Sequence, residues 1–146
     1  MDIEALKEEF LHKDFDEQTF EIDADDVVNF ALACGEVAPR YTDPGHPDFQ
    51  APPTFASSFQ AGRRMPEGFP KIPGLGMDAG KAASLKHPIR PGVPLVGRTH
   101  LHDIYLKTGR SGPMTFLVMR MELYDPDGVQ VATADTSVVI RERPGK

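Results

Sequence analysis

The chain has 146 residues, a length at which a single domain buries roughly two thirds of its unfolded surface, so one core and no second full domain is expected. Its 22 acidic against 16 basic residues leave a formal charge of -6, which disfavours binding to a phosphate backbone and sets nucleic acid aside as a partner. Cys34 is the single cysteine, no secretory leader pattern opens the chain, and no apolar run approaches the ~20 residues that cross a bilayer. A cytoplasmic protein without membrane contact is the expectation.

In chain order, EALKEEFLHK (residues 4–13) has helix-forming composition with Leu6 and Phe10 four apart on one face, and it predicts a short helix within an N-terminal extension over 1–18. A short strand follows over Thr19–Ile22. Asp23 then opens DADDVVNFALACG, whose acids fall in the first turn where the helix dipole favours them and whose Gly35 falls at the C-terminal stop. Val27, Ala31 and Cys34 form one apolar stripe of this helix, with Val28 and Leu32 beside it, and Cys34 reads as a small buried hydrophobe. TFASSFQAGRRM, introduced by Pro52 and Pro53, predicts a second helix with Phe55 and Phe59 four apart, apolar enough to be wrapped by a sheet.

Beyond residue 80 the apolar period changes to two. KAASLKHPI, VGRTHLHDIYLKT, Met114–Asp125 and VQVATADTSVVIR predict four strands, the last two joined by the turn Asp125-Pro-Asp-Gly128. On the third of these, Thr115, Leu117, Met119, Met121 and Leu123 share one face; on the fourth, Ala132, Ala134, Thr136, Val138 and Ile140 do. One apolar face per strand means an antiparallel sheet, and helices followed by a meander place the chain in the α+β class. The whole is one domain over 1–146, with 142–146 as a frayed tail.

Taken together, FALACGEVAPRYTD, QAPPTFASSF and KHPIRPGVPLVGRTHLHDIYLKTGRSGPMTFLVMRMELYDPDGVQVATADTSVVIR, in this order and spacing, resemble the MaoC-like dehydratase and hydratase group of hot-dog proteins. The chain is most similar to the N-terminal dehydratase branch, and the likeness covers about residues 19–141. The resemblance implies an antiparallel sheet of five or six strands curled around one long helix, here beginning near Thr54, and pairing of two such units. It also implies thioester substrates carried on coenzyme A or acyl carrier protein, no other cofactor, and addition or removal of water across the α,β double bond.

Catalytic members of that group carry a loop of glycine, aspartate, a variable residue, asparagine, proline, an apolar residue and histidine, because a carboxylate and an imidazole together hold and deprotonate the water. Here Gly35 and Pro39 match, but Glu36 replaces the aspartate, Ala38 the asparagine, and Tyr41 the histidine. A phenol with an unperturbed pKa near 10 is a poor base at neutral pH. No catalytic residue is assigned; Glu36 is a candidate, with Tyr41 and His46 weaker ones. Thr54, Phe55 and Phe59, at the start of the expected buried helix, are candidate substrate-binding residues.

His100 and His102 in THLHDIY lie two apart on a strand, but no third histidine or cysteine is near them in sequence, so a polar outward face is expected and no metal site. GLGMDAG departs from GxGxxG spacing, and PEGFPKIPGLGMDAG reads as a loop shielding the acyl pocket, flanked by Arg63, Arg64, Lys71 and Lys81 that could meet coenzyme A phosphates. The functional expectation is a dehydratase or hydratase subunit that shapes the acyl tunnel while a partner hot-dog subunit supplies the Asp and His pair. The alternatives are a homodimeric hydratase or thioesterase using Glu36, and a module that binds acyl thioesters without transforming them.

Overall fold

In the computed structural model, which describes residues 1–143, the chain runs α1 (Ile3–Phe10), β1 (Asp14–Phe20), α2 (Ala24–Ala33), α3 (Pro39–Thr42), a 3-10 helix (Pro53–Ser58), β2 (Leu75–Leu85), β3 (Leu95–Gly109), β4 (Gly112–Tyr124) and β5 (Gln130–Arg141). The end of the tail expected to fray, 144–146, lies outside the described residues. The five strands form one antiparallel sheet in the order β1-β3-β4-β5-β2.

The period-two reading holds along the sheet. Thr115, Leu117, Met121, Leu123, Ala132 and Ala134 are buried on the face they were expected to share. The turn after β4 forms as its chemistry dictates: Asp125 Oδ1 accepts from the backbone N–H of Asp127 and of Val129, both at 2.9 Å, and Gly128 takes φ 79°. Asp23 caps α2 by accepting from the Asp25 N–H at 2.7 Å. Val27 and Ala31 are fully buried, but the last turn runs past the core, so Leu32 and Cys34 are exposed and the cysteine is not the core residue its stripe suggested.

Three elements differ from expectation. The first strand starts at Asp14 instead of Thr19, because its pairing with β3 supplies backbone partners that the charged DFDEQ composition does not announce. The long helix expected from Thr54 is a six-residue 3-10 helix. Serines favour local hydrogen bonds over helix propagation, and Ser58 Oγ donates to the Phe55 carbonyl at 2.6 Å; Gly62, Pro66, Gly68 and Pro70 then prevent resumption. Finally, GLGMDAG is not a loop: from Leu75 it forms the first half of β2, paired to β5 along Leu75–Leu85. Every residue from Leu75 to Ser84 is exposed, so neither face of this edge strand imposes the apolar alternation by which strands are recognised.

The shortened helix divides the core in two. One cluster gathers Val27 and Phe30 of α2, Phe55 and Ala56 of the 3-10 helix, and Leu95, Met121, Leu123 and Ala132 of the sheet. The other is built where α1 lays Leu6 and Phe10 on Leu101, Ile104 and Leu117, with Ile72 and Phe69 arriving from the 59–74 segment. That segment is tied to β1 by the Gly62 N–H, which donates to Asp16 Oδ2 at 2.9 Å.

Candidate functional site

A cavity of about 870 Å³ lies against the inner face of the sheet and reaches both clusters, touching Met121 and Ala134 of one and Ile72 and Leu117 of the other. Its floor is sheet: Thr99 of β3, Leu117, Met119 and Met121 of β4, and Ala134, Thr136, Val138 and Ile140 of β5. Its wall is the 59–74 segment, with Phe59, Met65, Phe69 and Ile72. The lining mixes these apolar side chains with polar and charged ones, Asp78 and Asp135 among them, and the volume lies in the range that pockets for small organic ligands occupy. Arg63, Arg64, Lys71 and Lys81, the four cations flanking this stretch of sequence, all border it.

Thr99 was not singled out in the sequence. It is 4% exposed, lines the cavity, and its Oγ1 has no hydrogen-bond partner among the described residues. A buried hydroxyl without a partner is costly, and inside a ligand pocket it is a donor available to a ligand oxygen. The hint available in sequence is a threonine that shares one face of its strand with Leu95, Gly97 and Leu101.

The structure places the remaining candidates in two groups. Phe59 lines the cavity; Phe55 sits behind it, buried, with ring centroids 5.5 Å apart, while Thr54 is exposed at the start of the 3-10 helix. Glu36, Tyr41 and His46 belong to a separate loop, and none is among the residues lining the cavity. Glu36 is half-buried, its N–H donating to the Ala31 carbonyl at 2.9 Å. Tyr41 is buried with the Arg40 guanidinium 4.8 Å from its ring centre. The His46 Nδ1 accepts from the Asp48 N–H at 3.0 Å, which occupies that nitrogen as a local turn partner.

This loop is held in shape from the far side. Arg90, in the HPIRPG step, donates to Asp48 Oδ1 at 2.8 Å and to the Phe49 carbonyl at 3.1 Å, and the Ala51 N–H donates to the Ile89 carbonyl at 2.8 Å. The Arg90 hydrogen bond holds the Asp48 carboxyl below the usual carboxylate range. These bonds tie the 48–51 end of the loop to the HPIRPG step.

On β3, His100 and His102 meet a third imidazole that sequence distance concealed, that of His12 just after α1. Burial holds both His100 and His102 below the ordinary histidine pKa, with the Arg120 charge acting in the same direction on His102.

Comparison with known proteins agrees with this architecture. A family model described as the FAS1-like dehydratase domain region matches residues 10–134. A UPF0336 protein of Streptomyces coelicolor is 32% identical over 136 residues, covering 84% of this chain and 85% of its own. Among solved structures, the MaoC-like dehydratase from Phytophthora capsici superposes with a TM-score of 0.68 at 19% identity, covering 100% of this chain and 51% of its own, so this chain spans about half of it. The ChsH1-ChsH2 complex from Mycobacterium tuberculosis gives a TM-score of 0.67 at 17% identity, covering 99% of this chain and 91% of that one. With an antiparallel hot-dog sheet, a pocket on its inner face and a family model spanning most of its length, the chain belongs to the FAS1-like dehydratase region family of MaoC-like hot-dog proteins.

Proposed function

We propose that this chain is the tunnel-forming subunit of a 3-hydroxyacyl-thioester dehydratase or enoyl-thioester hydratase, with the acid–base pair supplied by a partner hot-dog subunit. The observation that carries the reading is the separation of cavity from loop: a cavity of about 870 Å³ with apolar side chains along the sheet and the 59–74 segment is present, while Glu36, Tyr41 and His46 stand outside its lining. An acyl chain fits apolar walls such as Phe59, Met65, Leu117 and Met121; Phe55 backs Phe59, and Thr54 lies at the edge of the same 3-10 helix. The Thr99 hydroxyl donates to an oxygen of the acyl group, and the cations bordering the cavity attract the phosphates of coenzyme A or of a carrier-bound phosphopantetheine.

The partner is argued from β2. This strand pairs with β5 on one side over Leu75–Leu85 with a bulge at Ala79, its other side is an open edge, and Leu75 and Met77 are 42% and 39% exposed. A long bare edge invites strand addition. Pairing with a second hot-dog unit covers this edge, and the two-chain organisation named for the ChsH1-ChsH2 complex, a structural neighbour, is in keeping with it.

The test compares the purified chain, alone and mixed with a hot-dog chain that keeps the aspartate and histidine loop, on crotonyl and longer enoyl thioesters. Alone it should bind the longer esters saturably without turnover, and turnover should appear, with extended chain-length range, in the mixture. Turnover by the chain alone that disappears in Glu36→Gln would replace this reading with the self-sufficient homodimer, as hydratase or thioesterase. Binding that no mixture converts into turnover would leave the non-catalytic thioester-binding module.

A further inference from the structure

We propose that His12, His100 and His102 form a binding site for one divalent transition-metal ion per chain, of which zinc is the reference case. Each of the three imidazoles offers a ligand nitrogen, and the three nitrogens lie within 4.8 Å of one another. His100 Nε2 and His102 Nδ1 are 3.1 Å apart. A tetrahedral zinc with Zn–N bonds of ~2.0–2.1 Å holds neighbouring donors about 3.3 Å apart, close to the separation of this pair, whose mutual hydrogen bond the ion would replace.

The backbone explains how three residues separated by up to ninety positions converge. Residues two apart on a regular strand stand ~7 Å from one another. A bulge between Leu101 and Asp103 leaves His102 as the extra residue and rotates it towards His100, with ring centroids 5.3 Å apart. His12 arrives from the other side: its N–H donates to the Leu101 carbonyl at 2.9 Å, Leu11 and Leu101 form a parallel bridge, and His12 takes φ 59°, uncommon for a residue with a side chain. Its ring lies 5.7 and 5.4 Å from those of His100 and His102.

The surroundings suit a cation. Asp14 Oδ1 stands 3.7 Å from His100 Nδ1, the ring nitrogen that does not face His102, where a carboxylate orients a metal-bound imidazole. The guanidinium of Arg120, opposite His100, is engaged by Asp135 through bonds of 2.7 and 2.8 Å, and that of Arg98 by Glu17 at 2.9 Å. His12 is exposed and gives access from solvent. Three imidazoles select zinc, copper or nickel over magnesium or calcium, and leave one tetrahedral position for water. Because Thr99 lines the cavity and His100 follows it on the strand, the site lies on the opposite face of β3 and is independent of the dehydratase reading. An ion here joins the α1–β1 connection to the middle of β3.

The experiment uses the full chain without a polyhistidine tag, treated with EDTA, titrated calorimetrically with Zn²⁺ and spectroscopically with Co²⁺. Saturable binding of one ion per chain is expected, with a raised Tm in Zn²⁺ and none in Ca²⁺. H12Q and H102Q should each weaken Zn²⁺ binding by more than the ~10-fold that loss of a supporting group costs, D14N by about that factor, and H87Q, at an exposed histidine elsewhere, not at all. H12Q changes an exposed side chain, and its fold is checked by far-UV circular dichroism. Absence of saturable binding in the parent chain, or equal affinity in the parent, H12Q and H87Q, overturns the proposal.

Discussion

Replacing Thr99 with valine exchanges a hydroxyl for a methyl at nearly constant volume, in a position that is 4% exposed and faces Met121 across the β3–β4 ladder. In most buried positions this exchange destabilises, because a hydrogen bond is lost. Here Oγ1 has no partner to lose. Mutational data place the cost of burying an unpaired hydroxyl at about 1–3 kcal/mol, so T99V should stabilise the isolated chain by ~1 kcal/mol and raise its Tm by about 2–4 °C. Urea unfolding at unchanged m value is the assay, since a shift in midpoint alone reports stability. Binding of a long-chain enoyl thioester should move the other way, weakening about tenfold through loss of a neutral hydrogen bond of ~1.4 kcal/mol. Destabilisation of T99V by more than ~1 kcal/mol would refute the assignment of a free donor, and unchanged ester affinity would refute its role in the cavity.

Other substitutions address the frame around the cavity. Leu101→Ala removes a fully buried side chain from the α1-side cluster and should cost about 2–5 kcal/mol in urea unfolding. Gly74→Ala should cost ~1–3 kcal/mol, because Gly74 has φ 143° and an added Cβ would strike the Arg141 carbonyl oxygen; hydrogen exchange should localise the loss to the start of β2. Arg90→Ala should free the 46–51 segment, read as faster exchange at Phe49–Ala51 with little change in global stability, the Arg90–Asp48 pair being solvent-exposed. Asp48 is depressed in the fold, so its contribution is present above the ordinary aspartate range and disappears as pH falls through the depressed value. Exchange in this segment should therefore accelerate only in acid, and R90A should abolish that dependence.

What was legible in the sequence is what repeats. β4 and β5 declare themselves because one face turns to the core and the cavity along its length, and α2 because its cap, acids and glycine stop agree with its apolar stripe. β2 was half missed because its residues face solvent on both sides, leaving no alternation to read. The helix over TFASSFQAGRRM rests on the Phe55 and Phe59 spacing and on the family likeness, whereas Ser57, Ser58 and the glycines and prolines after them carry the local information that it stops. For the site, the altered loop at Glu36 and Tyr41 was readable because chemistry demands particular residue types there. The free Thr99 hydroxyl and the third imidazole were not readable, since each depends on which atoms the fold brings near, and His12 lies far from its partners in the chain.

The divided core makes folding and occupancy draw on the same surfaces. A hydrocarbon chain laid between the Met121 side and the Ile72 side would bridge two clusters that the short 3-10 helix leaves apart, acting as the buried filling that a longer helix would otherwise supply. At a concentration 100 times its Kd, such a ligand would add about 2.7 kcal/mol to the unfolding free energy by mass action alone. If the proposed acyl ligand occupies this cavity, the quantity of folded chain in a cell would follow the supply of that ligand, so that ligand level and chain abundance rise and fall together.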